Sequence, residues 1–542
     1  MGLFFLRNKK LYLTIRKLIP QHILKKKSNY FLIALCVILF CSCKSKEPIN
    51  TPKNKPNIIL FFVDDMGWQD TSVQFWNKKT VFNNLYATPN MEKLAKEGMK
   101  FTQAYATPVC TPTRVSLISG MNAARHKVTN WTLKRDTDPV APPKGLKIPK
   151  WNVNGVQSSD SIPLSVHITP LQQILKDNGY LTIHSGKAHW GAMNTPGEDP
   201  KNLGFDINIA GHAAGAPGSY FGTKNFKNSL KKSSIWDVPG LEKYHGKDIF
   251  LTEALTQEAI IAMDKAINVN KPFYLHMAHY AVHTPIQGDF RFEQKYLDLG
   301  MHKTEAKYAS LIEGMDKSLG DLMEHLEKKG IADNTIILFM SDNGGLSAVA
   351  RGGEKHTHNK PLSSGKGSVH EGGIREPMLV KWPKKVKKNS VTNAKVIIED
   401  FFPTILEMAE INNYKTVQEV DGISFTNILK GKELENDNRA LFWHYPNNWG
   451  PTGPGIGATS TIRKGDWKLI YYHINRAFEL FNIKNDIGET TNLALREKII
   501  TKDLAKTLGS YLRSVDAQMP TDTNTNKLVP WPDQTKIIKQ LQ

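Results

Sequence analysis

The sequence predicts an α/β protein with one large, mainly parallel or mixed sheet that is sandwiched by helices. A smaller C-terminal subdomain of antiparallel strands and a helix is predicted to follow it. Two observations support this prediction. Short apolar runs alternate with helical stretches over most of the chain, and after about residue 440 the pattern changes to closely spaced short strands. Alternating strands and helices are typical of a sheet that is covered on both faces.

Length and composition indicate the organisation of the chain. Its 542 residues exceed one ordinary domain, so we expect a large domain and a smaller one. A hydrophobic content of 40% and an aromatic content of 9% are typical of a folded globular protein. The formal net charge of +20 indicates a polyanionic partner, which could be nucleic acid, anionic lipid or an acidic polysaccharide. Export of the chain favours the polysaccharide and argues against nucleic acid.

Residues 1–43 have the layout of an export signal. A basic stretch precedes the apolar run YFLIALCVILF at 30–40, which is too short to span a bilayer comfortably. The residues that follow resemble a bacterial lipoprotein signal in which Cys43 becomes the lipidated first residue; ordinary cleavage nearby is the alternative. We expect an exported protein of the periplasm or cell surface, anchored to the outer membrane, with residues 44–56 as a tether.

Buried strands are predicted where apolar runs occur, at residues 57–63, 180–185, 273–277, 335–340 and 378–381. Helices are predicted between them at 90–98, 171–178, 249–267 and 305–329. These elements belong to a predicted catalytic domain of residues 57–435. The C-terminal subdomain, residues 436–542, is predicted to contain strands at 462–472 and 478–481, a helix at 500–515 and a surface tail. Ligands of such sheets bind at the carboxyl ends of strands, so polar residues there should converge on one site.

The polar residues after two of these strands are oxygen ligands. Asp64 and Asp65 follow the first run, and Asp342 and Asn343 follow the fourth. Either pair alone could be a solvated loop, but two pairs after buried strands favour a hard divalent cation. Oxygen-only ligation favours Ca²⁺, or less strongly Mg²⁺, over zinc.

Cationic and histidine side chains accompany these acids. Lys187 and His189 follow the second run, His283 follows the third, and Lys366 lies in a glycine-rich loop. Each alone could be a surface or core residue. A metal with several cations around one nucleophile suits a tetrahedral anionic ester. The positive charges offset the negative charge of the ester, which would otherwise repel the nucleophile.

Cys110 is the only cysteine after residue 43. A single cysteine cannot form an internal disulfide, and a free cysteine is usually a small buried hydrophobe. Here the neighbours are polar: Thr111 is predicted to cap a helix and Pro112 to be its first residue, with Arg114 one turn inside. Cys110 is thereby predicted just ahead of a helix N-terminus, which attracts anions.

The run CTPTR at residues 110–114 matches the C-x-P-x-R sulfatase signature. The chain resembles the type I, formylglycine-dependent sulfatases of the alkaline phosphatase superfamily, whose fold and sulfuric ester hydrolysis we therefore expect. One departure is Ala188, where the family often has tryptophan. The supporting motifs are GKAH at 186–189, GFD at 204–206, AVHTP at 281–285, SDNGG at 341–345, EGGIREP at 371–377 and RKGDWKL at 463–469.

The resemblance implies two cofactors. Cys110 would be oxidised to Cα-formylglycine (3-oxoalanine) by a formylglycine-generating enzyme or an anaerobic sulfatase-maturating enzyme. One Ca²⁺ per chain would be held by Asp64, Asp65, Asp342, Asn343 and the modified residue. The aldehyde hydrate would then be the nucleophile that attacks sulfur.

The resemblance also implies roles for the cations and histidines. Arg114 and Lys187 would steady the hydrate, while Lys187 and Lys366 would hold sulfate oxygens. His283, together with Lys366, would be the general acid for the sugar leaving group. His189 would be the base that allows sulfate to be expelled.

Substrate contacts are predicted in loops between the motifs, although each loop could be ordinary surface. A tryptophan face beside cations suits a sugar ring that carries further acidic groups. We expect a sulfated polysaccharide or its oligosaccharides, either an algal glycan such as ulvan, carrageenan or fucan, or a glycosaminoglycan. The predicted contacts are Trp131, Lys134, Arg135, His212, Arg351 and His356.

Two other functions remain open. One is a phosphonate or phosphate-ester hydrolase of the same superfamily. The visible ligand set serves a single metal, whereas two-metal phosphatases need additional His and Asp ligands. The other is a carbohydrate-binding lipoprotein with a degenerate site, against which stands the presence of every polar position that the chemistry requires.

Overall fold

The computed structural model describes residues 55–349, 351–432 and 438–540. The predicted signal, Cys43 and most of the tether lie outside the described residues. The predicted α/β class is confirmed. The large sheet consists of β1 (Asn57–Val63), β2 (Met99–Tyr105), β3 (Leu181–Gly186), β4 (Ile207–Ile209), β5 (Phe273–Ala278), β6 (Thr335–Ser341), β7 (Arg375–Lys381) and β8 (Ser390–Ile397).

The eight strands lie in the order β8-β2-β7-β6-β1-β5-β3-β4. β7 is antiparallel to both of its neighbours, and the other pairs are parallel. The neighbours β6, β1, β5 and β3 are the four strands whose polar ends the sequence marks. In register, Ile59 of β1 pairs with Leu275 and Ile337. The carboxyl ends of these four strands therefore share one edge of the sheet.

Helices cover both faces of the sheet. The helices are α1 (Val81–Leu85), α2 (Pro89–Glu97), α3 (Cys110–Ser119), α4 (Ala123–His126), α5 (Leu171–Asp177), α6 (Leu251–Asn268), α7 (Glu293–Asp298), α8 (Lys303–Lys328), α9 (Glu371–Ile374), α10 (Phe401–Met408), α11 (Thr426–Leu429), α12 (Lys498–Ser514) and α13 (Lys536–Gln540). Ile58 and Leu60 of β1 pack into a core with α3, α5 and α10. Ile59 and Phe61 point the other way, into a core with α2, α6 and α8.

A separate small antiparallel sheet follows, made of β9 (Ala440–Tyr445), β10 (Thr459–Lys464), β11 (Trp467–Tyr472) and β12 (Phe478–Asn482) in that order. Leu504, Leu508 and Leu512 of α12 pack on this sheet in a third core. Beyond α12, Thr521–Asp522 pairs with Leu146–Lys147, and Leu146 packs in the same third core. In the part of the chain that the structure describes, no helix has the length and apolar character needed to cross a membrane.

Candidate active site

Cys110 is the first residue of α3, so this helix begins two residues earlier than the sequence predicts. Val109 occupies the cap position without a side-chain cap, so Thr111 lies inside the helix. The thiol is buried at the carboxyl edge of the sheet. Its Sγ lies 3.7 Å from Asp64 Oδ1 and accepts from Lys366 Nζ at 3.3 Å.

The thiol itself is a poor nucleophile in this position. Burial raises the pKa of Cys110 to about 12, although Lys187 and Lys366 act in the opposite direction. The thiolate is the reactive form of cysteine, and at neutral pH it would be scarce here. The position of Cys110 among charged groups is thus better suited to a different functional group at residue 110 than to a free thiol.

The four predicted metal ligands meet beside Cys110. Asp64 and Asp65 leave β1, and Asp65 adopts a left-handed backbone conformation with φ of 60°. The Asp65 backbone N–H donates to Asp342 Oδ1 at 3.2 Å, and Asn343 Nδ2 donates to Asp65 Oδ1 at 2.8 Å. All four side chains are buried, so two neighbouring strands hold them as one cluster.

Two oxygens of this cluster are buried without a hydrogen-bond partner among the described residues: Asp65 Oδ2 and Asn343 Oδ1. Ligand atoms of Asp64, Asp65, Cys110 and His283 all lie within 4.8 Å of one another. A buried polar atom without a partner is costly, and a bound cation removes that cost. Because the unpartnered atoms are oxygens, the residues present fit a hard divalent cation.

Arg114 and Lys187 are buried behind the cluster. Arg114 donates from Nε and Nη2 to Asp342 Oδ2 at 2.9 and 2.8 Å. Lys187 Nζ donates to Asp64 Oδ2 at 2.7 Å, and the Lys187 carbonyl accepts from Arg114 at 2.9 Å. The two cations therefore fix the carboxylates, and the predicted contacts of Lys187 and Arg114 with the hydrate and sulfate stay predictions.

Lys366 reaches the cluster from the side of the pocket. Its ammonium group donates to Asp65 Oδ1 at 2.6 Å and lies beside Cys110. The loop comes close because Gly367, with φ of +84°, has no side chain: a Cβ there would lie 2.1 Å from the Trp449 ring. Glycine at this position therefore allows the loop backbone to lie directly against the Trp449 ring.

The charges of the cluster are strongly coupled. Burial raises the pKa of Asp65, but Lys366, His283 and Lys187 together outweigh it and lower the pKa to about 2. The pKa of Asp64 is raised, first by burial and then by Asp342. Three carboxylates thus face the cations Arg114, Lys187 and Lys366, but the cations do not stabilise the three anions equally. The Asp64 anion is the least stabilised by the protein alone.

His189 has one nitrogen committed and one free. Nε2 donates to the Thr132 carbonyl at 2.8 Å, so Nδ1 is the unprotonated nitrogen in the neutral ring. Among the described residues, Nδ1 has no hydrogen-bond partner. Burial and then Lys187 lower the pKa of His189. The ring packs directly on Gly215, where a Cβ would lie 2.3 Å from it, and a neutral imidazole with a free Nδ1 can accept a proton.

His283 presents its Nε2 to the cluster. Nδ1 donates to the Thr284 carbonyl at 2.8 Å, and Nε2 lies 3.7 Å from Asp65 Oδ2. Burial and then Lys366 lower the pKa of His283 to about 3. In the resting protein His283 is therefore neutral, while the pKa of Lys366 is raised despite burial, chiefly by Asp65. Lys366 is the group that carries a proton beside Cys110 at neutral pH.

These groups open into a pocket of about 500 Å³. Cys110, His189, His283 and Lys366 line its polar part. The remaining wall is mainly aromatic and aliphatic, formed by Trp131, Pro217, Trp236, Pro285, Leu346, Val349 and Trp449. The pocket has a volume typical of small-ligand sites.

Of the predicted substrate contacts, the structure places Trp131 in the pocket lining and the others outside it. Trp131 lines the pocket, whereas Lys134 and Arg135 are exposed and lie outside the lining. His212 lies 3.0 Å from the Tyr280 hydroxyl through Nδ1, and its carbonyl accepts from the His189 backbone. His356 is half-buried and also lies outside the lining.

Arg351 requires a correction, because the structure places it in an internal ion-pair cluster rather than in a substrate loop. Its guanidinium is buried and donates to both oxygens of Asp70, at 3.0 and 3.2 Å, and to Glu305 at 2.9 Å. It also stacks 3.8 Å from the ring centroid of Tyr308. With its donors satisfied inside the protein, Arg351 has none to offer a sugar in the pocket.

Sequence reasoning did not identify Trp236 and Pro217 as wall residues. They lie in the long segment between β4 and α6. This segment shows no regular spacing of apolar residues, so its sequence does not indicate which of its residues reach the site. Ala188 is buried, and Trp190 does not reach the pocket wall. Instead Trp190 stacks on Phe205 in the core, with 5.6 Å between ring centroids.

The chain matches the family model described as Sulfatase over residues 56–411. The model described as N-sulphoglucosamine sulphohydrolase, C-terminal, matches residues 364–518. The first of these models spans well over half of the chain and includes every predicted catalytic and metal-ligating position.

Similar proteins agree with this assignment. A sulfatase of Formosa agariphila is 31% identical over 96% of this chain and 99% of its own length. The human N-acetylgalactosamine-6-sulfatase is 28% identical, covering 74% of each chain. The crystal structure of Ps i-CgsB in complex with k-i-k-neocarrahexaose shares 27% identity, covers 90% of this chain and 100% of that one, and superposes with a TM-score of 0.66. With the cysteine signature at the head of α3 and an acidic cluster beside it, the chain belongs to the sulfatase family and is a sulfuric ester hydrolase.

Proposed function

We propose that this protein removes sulfate from a sulfated polysaccharide or its oligosaccharides, with residue 110 as the reacting position. The observation that supports this most strongly is the placement of Cys110 in the pocket lining. There it lies between Asp64 and the Lys366 ammonium, beside the unpartnered Asp65 Oδ2. Relatives that act on N-acetylgalactosamine 6-sulfate or bind a carrageenan hexasaccharide support a carbohydrate substrate.

Two groups complete the site in this proposal. Asp64, Asp65, Asp342 and Asn343 would hold one Ca²⁺, which when bound offsets negative charge and polarises the ester. Oxidation of Cys110 to Cα-formylglycine would replace an unreactive thiol by an aldehyde hydrate, whose hydroxyl supplies the nucleophile. Arg114 and Lys187 hold Asp342 and Asp64 in place through hydrogen bonds, so they act by positioning the ligands.

Proton transfer is assigned to the groups that line the pocket. Lys366 carries the proton in the resting protein and, with His283, protonates the departing sugar oxygen, which is a poor leaving group without it. His189 accepts a proton at Nδ1 when sulfate is expelled, since Thr132 holds the other nitrogen as a donor. The acid role rests on Lys366, which carries the proton, and the base role on the free Nδ1 of His189.

The pocket wall favours a neutral sugar around the sulfate. Among the described lining residues, Lys366 is the one permanently charged side chain, and Trp131, Trp236 and Trp449 supply aromatic faces. A ring with a carboxylate would leave that charge buried without a partner, which is costly. We therefore propose a sulfated neutral sugar, of galactose or N-acetylhexosamine type, in place of the further-acidic ring that the sequence suggests.

A direct test compares esters of one alcohol. The protein would be co-produced with a formylglycine-generating enzyme and assayed on matched aryl sulfate, phosphate and phosphonate esters. We expect the sulfate ester to be turned over at least about a hundredfold faster. Faster turnover of the phosphate or phosphonate would instead support the alternative hydrolase, and loss of all turnover in matured protein would contradict the proposal.

The sugar is tested with a panel of defined sulfated oligosaccharides. Oligosaccharides of carrageenan and of N-acetylgalactosamine 6-sulfate should release sulfate, measured by ion chromatography. Oligosaccharides whose only sulfate lies on a uronic acid should not. Release from the uronic acid alone would contradict the neutral-sugar proposal while leaving the sulfatase activity intact.

The conversion of Cys110 to Cα-formylglycine is tested by mass spectrometry of the peptide that carries it. The tryptic peptide that carries residue 110 should be about 18 Da lighter than the cysteine peptide after co-production with the maturation enzyme. A peptide of unmodified mass in protein from the native host would refute the modification.

We propose that the protein is exported and held at the outer membrane through lipid on Cys43. Replacing Cys43 by serine should move the protein from the membrane fraction to the soluble periplasmic or extracellular fraction. Retention of Cys43→Ser protein in the membrane fraction would contradict this proposal.

A further inference from the structure

A second cleft lies away from Cys110, at the edge of the large sheet where it meets the small sheet. Its volume is about 770 Å³, and it shares no lining residue with the pocket at Cys110. The edge strand β8 and its neighbour β2 form one side. The loop after β1 and the β10–β11 and post-β12 turns form the others.

The cleft is strongly basic. Six of its described lining residues are cationic and one is acidic: Lys78, Lys100, Arg375, Lys395, Arg463 and Lys484 against Asp466. Asp466 lies 3.8 Å from Lys484, and Glu371 accepts from Arg375 at 3.2 Å. Lys78, Lys100 and Arg463 pair with no carboxylate among the described residues. The cleft therefore has positive charge available for an anion.

Arg463 provides a donor that the protein leaves unused. Its Nε donates to the Tyr105 hydroxyl at 3.3 Å and its Nη2 to Gln103 Oε1 at 3.1 Å. Its Nη1 is buried and has no hydrogen-bond partner in the described structure, and the side chain is 97% buried. A guanidinium fixed at two nitrogens, with the third donor unpaired, is preorganised for an oxyanion.

Aromatic and amide side chains lie among the cations. Trp76 is half-buried, and Lys78 lies 5.9 Å from its ring centroid. Asn77, Asn393 and Asn485 add amides that can both donate to and accept from hydroxyl groups. Cations for sulfate groups, amides for hydroxyls and an aromatic face for a ring together match a sulfated glycan better than a nucleotide or a peptide.

We propose that this basic cleft is a second, non-catalytic binding site for sulfated polysaccharide, which holds the polymer while the pocket at Cys110 desulfates it. The choice of ligand rests on the proposed function, because a polymer with repeated sulfates is the anion that such an enzyme would meet. Binding through charge should weaken as salt rises.

The test is affinity electrophoresis of the full protein in gels that contain ι-carrageenan, which reads binding without turnover. Arg463→Gln is the sharpest variant but could disturb folding, so Trp76→Ala combined with Lys78→Ser is the second. Each should bind the polymer about tenfold more weakly, which corresponds to roughly 1.4 kcal/mol. Lys79→Ser is the matched control, since Lys79 is exposed beside Lys78 but lies outside the cleft lining.

Parallel gels with single-stranded DNA, polyphosphate and desulfated carrageenan distinguish the sources of binding. Wild-type retardation by ι-carrageenan alone, lost in the two cleft variants, supports the proposal. Equal retardation by DNA or polyphosphate, unchanged binding in the folded cleft variants, or no wild-type binding would overturn it. Because no step needs turnover, an absence of sulfate release would contradict the proposed function without affecting this result.

Discussion

Two buried charge clusters lie side by side in this protein, and they differ in what they leave unpaired. The cluster around Cys110 leaves Asp65 Oδ2 and Asn343 Oδ1 without partners among the described residues. The cluster around Arg351 leaves no buried polar side-chain atom of Arg351, Asp70 or Glu305 unpartnered among the described residues.

This difference distinguishes a cluster that can bind a ligand from a cluster that supports the fold. The Arg351 cluster is closed, since each of its charges is matched by another within the protein. It also braces the loop after β1: the Tyr308 hydroxyl donates to Asp70 at 2.7 Å and lies 3.1 Å from the Asp65 carbonyl. The Cys110 cluster is open, so it can gain a ligand. Burial and charge alone do not identify a site; the distinguishing feature here is a pair of unpartnered oxygens in the cluster of Cys110, which lines the pocket.

Breaking the open cluster should cost activity rather than stability. Asp65→Asn removes one anionic ligand, and kcat/KM should fall about a thousandfold, the effect of roughly 4 kcal/mol in the transition state. Calcium binding by titration calorimetry should weaken in parallel, while the midpoint of urea unfolding changes little. The exposed Asp160→Asn variant is the control. Retained activity in Asp65→Asn would remove Asp65 from the metal site.

Breaking the closed cluster should cost stability first. Arg351→Met leaves the buried Asp70 and the half-buried Glu305 without their partner, which should lower the free energy of unfolding by about 3–5 kcal/mol. Urea unfolding measures this, with the exposed Arg135→Met as control. Unchanged stability combined with weaker oligosaccharide binding would restore the substrate role that the sequence suggests for Arg351.

The aromatic wall should show a smaller effect on activity. Trp131→Ala removes one stacking face, and we expect kcat/KM for an oligosaccharide to fall about tenfold, mainly through KM, because the lost contact is made in ground and transition states alike. Lys134→Ala, from the same loop but outside the lining, should keep wild-type kinetics. An equal loss in both variants would contradict the assignment of the pocket wall.

Glu399 also has an unpartnered oxygen, but it does not belong to the Cys110 cluster. Its Oε1 accepts from Asn122 at 2.8 Å, and Oε2 has no partner among the described residues. Burial, and then Asp400, raise the pKa of Glu399 to about 8. Here a proton, rather than a metal, resolves the buried charge.

The sign of the resulting pH dependence follows from proton uptake. Between the unfolded pKa of about 4.3 and about 8 the folded protein binds a proton at Glu399 that the unfolded chain lacks, so stability falls as pH rises through this window. Glu399→Gln removes this contribution and should raise the free energy of unfolding at pH 9 relative to wild type by about 1–2 kcal/mol. An unaltered pH profile of urea unfolding would show that Glu399 is ionised in the folded protein.

The four strand-end clusters could be predicted from the sequence because their polar residues follow apolar runs directly. The edge strand β8 and its neighbour β2 could not, since in β2 Lys100, Thr102 and Gln103 interrupt any apolar period. The prediction of Arg351 as a substrate contact is wrong because its partners, Asp70 and Glu305, are distant in sequence. Without those partners, the charged loop that contains Arg351 is expected to be exposed. The position of Trp236 in the pocket wall depends on the tertiary fold and could not be predicted from the sequence around it.

The central claim is that chemistry occurs at residue 110, and the most direct measurement is sulfate release by Cys110→Ala compared with wild type. Both proteins would be co-produced with the maturation enzyme and assayed by ion chromatography on the same sulfated oligosaccharide. Wild-type protein should release sulfate, and folded Cys110→Ala should release none above the buffer blank. Release by Cys110→Ala at the wild-type rate would contradict the assignment of residue 110 as the nucleophile.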